Sequence, residues 1–207
     1  MKSDDYILKL DDILKITRRK PDEPPTEEAM GKVRRQLAMC GYADTNSTVY
    51  NALVKFGARV LEEKATRGLF LRGACGIGKT LGVQILAACY GWPVYSAKQI
   101  QRCFIEEKAA DFYEWIDATD FHGHPRTIVI DDIGSEDLPI MKYGTPTNVI
   151  ADVLDRRYSK GFLRDGVMTV ATCNLDDAAL MERYGERIND RLNEMFEFVN
   201  VTGRSLR

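Results

Sequence analysis

Two short groups of residues could act together on a phosphate. The first, Gly73, Ala74, Cys75, Gly76, Ile77, Gly78, Lys79 and Thr80, fits G-x-x-x-x-G-K-[ST]. Glycines let successive backbone N–H groups converge on phosphate oxygens without Cβ clashes, and a helix starting near Lys79 adds the positive end of its dipole. Lys79 then reaches the β- and γ-phosphates, and the Thr80 hydroxyl ligates Mg²⁺. At a glycine usage of about 7%, the pattern arises by chance roughly once in a hundred chains of this size. The second group closes "TIVIDDIG" (127–134), a strand-like run ending in Asp131 and Asp132 about fifty residues further on. A carboxylate at the C-terminal edge of a parallel strand can hold the hydration shell of Mg²⁺, and a second can orient an attacking water. Asp131 is assigned to the metal and Asp132 to the water. By itself each group has a plainer reading, a glycine turn and an Asp-Asp turn; together at this spacing they point to nucleotide chemistry.

The elements that must position these groups are legible in the patterning. "LFL" precedes the glycine loop as a buried strand would, and "LGVQILAACYG" follows as a helix of small and apolar residues. Strand-type runs stand at 68–73, 93–97, 126–132, 167–174 and 197–203, separated by helical periodicity. That alternation predicts an α/β domain with a five-stranded, mostly parallel sheet covered on both faces. Helices are predicted from Thr26 to about Cys40 and from Ser47 to about Lys64, with Thr26 and Ser47 as N-caps. "WPVYSA" (92–97) falls between the loop strand and the Asp131 strand in sequence. This points to the additional-strand branch of P-loop ATPases and away from nucleotide kinases.

With 207 residues the chain can bury one sizeable core, and a net charge of -2 gives no overall basic footprint for nucleic acid. No run approaches the length of a membrane span, and "MKSDDYILKL" carries acids where a signal peptide has a basic lead-in; a cytoplasmic protein is expected. Five cysteines without a C-x-x-C pair suggest no disulfide framework, and they are expected to be reduced and mostly buried. Two units are expected: residues 1–25, an amphipathic helix and a linker with Pro21, Pro24 and Pro25, and a core over 26–207. The helix could pack back on the core or detach to bind a partner.

The stretches "GLFLRGACGIGKT", "TIVIDDIG", "VMTVATCNL", "YGERINDRLNEM" and "VTGRSLR" give residues 45–207 a resemblance to AAA+ ATPases of the DnaC/IstB-like helicase-loader family. That resemblance implies a P-loop NTPase core without a full lid domain, Mg²⁺ and ATP as cofactors, and nucleotide contacts from Gly73 through Leu81. It also implies a sensor role beside the γ-phosphate for Asn174. Arg191, with Arg187 in reserve, would be an arginine finger acting on a neighbouring subunit's nucleotide, and Arg207 would be a second sensor. The implied partners are a replicative helicase, engaged through residues 1–25, single-stranded DNA, and further copies of the chain in the nucleotide-bound state.

Asp132 stands where most AAA+ proteins carry Glu, which implies hydrolysis that is slow or stimulated by a partner. The segment before the prolines is shorter than the helicase-binding domain of most loaders. In the region this family associates with single-stranded DNA, 97–126, the aromatics Phe112, Tyr113 and Trp115 could stack on bases, with Lys98, Arg102 and Lys108 on the backbone. Acidic residues outnumber basic ones there, and helix-core aromatics are the favoured reading. His122 and His124 are read as a polar loop rather than metal ligands. Val149, Val153 and Leu154 are read as core, with Arg156 and Arg157 as candidates for a subunit interface. Two alternatives stay open: an IstB-like transposition helper, and a nucleotide-switched adaptor with little hydrolysis. Adenine and guanine are not distinguished by any motif.

Overall fold

A computed structural model of the chain describes residues 23–45, 47–106, 109–117, 122–142, 144–161 and 166–202. The amphipathic segment 1–22, Lys108 and Arg207 therefore lie outside the described residues. Two helices lead in, α1 (Glu27–Met39) and α2 (Thr48–Leu61). Both start where the sequence places a hydroxyl: Thr26 accepts from the Ala29 N–H at 3.2 Å and Ser47 from the Tyr50 N–H at 3.0 Å. Thr26 also donates its hydroxyl to Glu62 at 2.6 Å, tying the start of α1 to the end of α2.

The α/β part runs β1 (Gly68–Arg72), α3 (Lys79–Tyr90), β2 (Val94–Ser96), α4 (Ala97–Glu106), α5 (Ala109–Asp117) and β3 (Ile128–Ile133). It continues through β4 (Ile140–Lys142), β5 (Thr145–Thr147), α6 (Val149–Ser159), β6 (Thr169–Cys173), α7 (Asp177–Met195) and β7 (Phe196–Asn200). The main sheet is five-stranded and wholly parallel, in the order β2-β3-β6-β1-β7. β6 therefore separates the loop strand β1 from the Asp131 strand β3, as the additional-strand reading requires. All five strands are those the sequence predicts.

Strand alternation sorts the core into two layers. Leu69, Leu71, Val129 and Val170 face α1, α2 and α3, where they join Val33, Leu53, Phe56, Val83 and Leu86. Phe70, Ile128, Ile130 and Ala171 face the other way, onto Ile100, Phe112, Val149, Val153, Leu154 and Leu192. The core roles expected for Val149, Val153 and Leu154 are thus met. So is that of Phe112, which is fully buried and unable to stack on a base, while Tyr113 and Trp115 are half-buried against the same cluster.

Three expectations are corrected. The antiparallel pair β4–β5 has no counterpart in the sequence reading, because three-residue strands around Pro146 carry too little pattern to register. The cysteines are not mostly buried: Cys40 and Cys75 are exposed, Cys89 and Cys103 are half-buried, and only Cys173 is inside. Arg157 is not a surface arginine. It is 1% exposed, donating to Thr169 Oγ1 at 2.8 Å and to the carbonyls of Arg126 and Met168 at 3.0 and 3.1 Å, so that it laces the entry of β3 to that of β6. Arg156 is occupied by Asp117 at 2.7 Å.

The pairing of β1 with β6 is close enough to exclude any side chain at its first residue: a Cβ on Gly68 would lie 1.8 Å from the Thr169 carbonyl oxygen. Backbone cannot yield as a flexible side chain does. Gly68→Ala should destabilise the fold by roughly 2–4 kcal/mol in urea unfolding; an unchanged midpoint would contradict this register.

Candidate nucleotide site

The glycine loop (73–78) leaves the C-terminal end of β1 and turns into α3, as the sequence reading places it. All three of its glycines are required by conformation, Gly76 with φ +83° among them. Gly73 has φ +155° and a Cβ there would meet the Val201 carbonyl oxygen at 2.2 Å; Gly78, the N-cap of α3, has φ +91°. The loop is pinned to the neighbouring strand by the Gly73 N–H, which donates to the Cys173 carbonyl at 3.2 Å. Beside it lies a cleft of about 710 Å³ walled by Gly73, Ala74, Ile77, Asn174, Asp176 and Thr202.

Lys79 is 6% exposed, and its ammonium has polar partners. It donates to the carbonyls of Gly73 and Ala74 at 2.6 and 2.7 Å and to Asn174 Oδ1 at 2.7 Å. Burial holds its pKa below the ordinary lysine value, opposed by Cys75, Asp132, Cys173 and Asp131. The other end of the Asn174 amide donates to Asp132 Oδ1 at 2.7 Å. One side chain at the tip of β6 thus bridges the loop lysine and the second acid of β3.

A parallel link joins Thr80 to Asp131. The Thr80 hydroxyl donates to Asp131 Oδ1 at 3.0 Å, and the Thr172 hydroxyl donates to the same oxygen at 2.6 Å. Thr172 in turn accepts from the Asp132 N–H at 2.8 Å. Asp132 needs such an anchor, for it sits at φ +61°, a left-handed conformation uncommon for a residue other than glycine, where the β3–β6 register shifts between Ile130 and Ile133. The irregularity turns the two adjacent carboxylates to different tasks: Asp131 towards Thr80 and Asp132 towards Asn174.

The structure brings together Lys79, Thr80, Asp131, Asp132 and Asn174, drawn from β1–α3, β3 and β6. The Thr80 hydroxyl and the Asp131 carboxylate fit a hard cation that takes its other oxygens from phosphate and water. Among the described residues there is no cluster of three or more His, Cys, Asp or Glu side chains placed to hold a metal. His122 and His124 are exposed in the segment before β3. Leu81 follows the loop with 52% of its surface exposed. Arg191 lies on α7, ion-paired with Asp155 of α6 and with its guanidinium 4.9 Å from the centre of the Tyr158 ring. Arg187, one turn earlier, is 3.5 Å from the same carboxylate but 74% exposed. Thr172 is a site residue that the sequence reading missed. A threonine inside a buried strand carries no spacing signal, and only the strand order places it opposite Asp131.

A P-loop beside an acid-tipped strand, with a polar residue at the tip of the strand between them, defines the class: this is the P-loop AAA+ fold. Among solved structures the chain is similar to DnaI and to the DnaC helicase loader. DnaI is 18% identical over 77% of this chain and 88% of its own, with a TM-score of 0.57. The DnaC helicase loader is 18% identical over 82% of this chain and 99% of its own, with a TM-score of 0.55. AMPPCP-bound DnaA from Aquifex aeolicus is 14% identical over 77% of this chain but 47% of its own, with a TM-score of 0.50. No family model and no curated protein sequence matches the chain. No described helix is long and apolar enough to cross a membrane.

Thr172 is 1% exposed, and valine would fill its space without its hydroxyl. Thr172→Val leaves the Asp132 N–H without its acceptor and removes one donor from Asp131. A loss of about 1–3 kcal/mol is expected in denaturant unfolding; a variant as stable as the parent would mean that the Asp132 turn does not depend on this anchor.

Proposed function

We propose that the chain binds Mg·ATP in the Gly73–Leu81 loop, hydrolyses it slowly or under stimulation by a partner, and serves in DNA replication as a helicase loader. The observation that carries this reading is the pair of links Lys79–Asn174–Asp132 and Thr80–Asp131, which place a cation, two carboxylates and a polar amide around one loop. In this mechanism Lys79 exchanges the Gly73 and Ala74 carbonyls for the β- and γ-phosphate oxygens. The exchange is favoured because a buried ammonium gains far more from anionic oxygen than from amide oxygen. Thr80 and Asp131 would hold Mg²⁺, which supplies charge neutralisation to the phosphates. Asp132 accepts a hydrogen bond from the attacking water and orients it, while Asn174 fixes that carboxylate and faces the γ-phosphate.

Arg191 is proposed as the finger offered to a neighbouring copy, with Arg187 in reserve. For Arg191 this requires the Asp155 pair to open, since a guanidinium held by a carboxylate cannot also clamp a phosphoryl group. Arg187 is paired with the same carboxylate, at 3.5 Å, and its largely exposed side chain would have to leave that longer contact. Assembly in the nucleotide-bound state follows, because each site is completed by the next copy. A helicase partner is supported by the likeness to the DnaC helicase loader; its engagement through residues 1–25 is part of the proposal, as is single-stranded DNA bound through the exposed Lys98 and Arg102 rather than through Phe112. The shorter Asp132 side chain, already engaged by Asn174, favours as second reading an adaptor in which ATP orders an interaction surface with little turnover.

Lys79→Ala is expected to abolish binding of a fluorescent ATP analogue in titration; binding at the parent affinity would sink the site. Asp132→Asn should retain that affinity while turnover falls by roughly 10²–10⁴-fold. Removing the finger, Arg191→Ala or Arg187→Ala, should cost on the order of 10³-fold or more in turnover with little change in nucleotide affinity. Neither variant having an effect would exclude a finger on α7. Turnover absent from the parent chain, with and without single-stranded DNA and a replicative helicase, would favour the adaptor. Capture of the helicase by the full chain but not by a chain lacking residues 1–25 is the expected result for the loader.

A further inference from the structure

The turn after β3 holds a carboxylate that the mechanism does not use. Glu136 is 2% exposed and its side chain is wholly buried. A carboxylate withdrawn from water needs several donors to offset the loss of hydration. Glu136 finds them on two elements. Its Oε2 accepts from the Gly134 N–H at 2.9 Å, two residues beyond Asp132. Its Oε1 accepts from the Tyr184 hydroxyl at 2.5 Å and from Arg183 Nε at 3.2 Å, and Arg183 donates also to the Glu136 carbonyl. The same turn is held through Ser135, whose N–H donates to the Asp132 carbonyl at 3.1 Å. Gly134, at φ +95°, is packed so closely that a Cβ would meet Leu175 at 2.5 Å. The Asp132 turn and the Arg183–Tyr184 step of α7 are thus fastened to one carboxylate.

Where Glu136 grips α7 is informative. The helical geometry breaks at the next residue, Gly185, with φ 78° and ψ 166°, and a Cβ there would meet nothing within 4 Å. α7 is therefore two helical segments, one clamped by Glu136 and one carrying Arg187 and Arg191. The residues that Glu136 holds, Arg183 and Tyr184, stand immediately before this break.

We propose that Glu136 is a positioning residue that couples the state of the Asp132 turn to α7, and through the Gly185 break to the arginines offered to a second copy of the chain. The coupling rests on the nucleotide-binding reading above. Glutamine matches glutamate in size, but its amide nitrogen is a donor facing donors: it cannot accept from Gly134, Tyr184 and Arg183 together. Tyr184→Phe removes one of the three bonds and keeps the ring.

Hydrogen exchange of the full chain, with and without Mg·AMPPCP, tests this. In the parent chain nucleotide should slow exchange across residues 73–80 and, by at least about fivefold, across 183–191. In Glu136→Gln the protection of 73–80 should persist while the change at 183–191 falls below about twofold. Should the glutamine variant fail to fold, Tyr184→Phe carries the test, with an intermediate response expected. An undiminished nucleotide response at 183–191 in the variants, or no response there in the parent, overturns the coupling even if 73–80 are protected. Absence of protection at 73–80 in the parent overturns the nucleotide reading and the coupling with it.

Discussion

A buried ammonium must be surrounded by acceptors, and the site is arranged around the acceptors of Lys79. Two are carbonyls of its own loop, and their direction is fixed by a backbone that only glycine can follow at Gly73 and Gly78. The third is Asn174, which reaches Lys79 only because β6 is inserted between β1 and β3. Strand order, loop conformation and side-chain chemistry thus meet at one nitrogen. In a low-dielectric setting each of these bonds is stronger than it would be in water, and each unmet donor correspondingly more costly.

The second organising feature is the irregular end of β3. A regular strand would point Asp131 and Asp132 to opposite faces of the sheet. The left-handed conformation of Asp132 instead keeps both carboxylates at the C-terminal edge, one towards Thr80 and one towards Asn174. Thr172 stabilises that conformation from below and Glu136 from the side, through Gly134. Strain at a turn is tolerated where the surroundings over-determine it, and here Thr172 and Glu136 do so.

Much of this was readable in the chain. Two hydroxyl caps, five strands, the loop and its acids follow from local chemistry: a hydroxyl before an apolar run, alternation within a run, glycines that no other residue can replace. What was not readable has a common physical cause. Thr172 and Glu136 act through partners 40 or more residues away; the β4–β5 pair is too short to carry a period; and Arg157, which by charge belongs on the surface, is drawn inside by Thr169 and two carbonyls. The exposure of Cys40 and Cys75 is likewise a matter of which helix end or loop they occupy, not of the residue type.

The sequence by itself determined which groups could meet a phosphate and a divalent cation, because Gly73 to Thr80 is a local conformational code and an acid closing a strand-like run needs only its own strand to place it. It also determined the class of fold, since alternating helices and strands admit few ways to bury both faces of a sheet. The tertiary structure alone decided how two adjacent aspartates reach one edge of the sheet, through the left-handed Asp132, and that Arg191 is packed against Asp155 while Arg187, near the same carboxylate, stands exposed. It alone joined the acid turn to α7 through Glu136. Those outcomes depend on hydrogen bonds between residues distant in the chain, and their geometry exists only once the strands are ordered side by side.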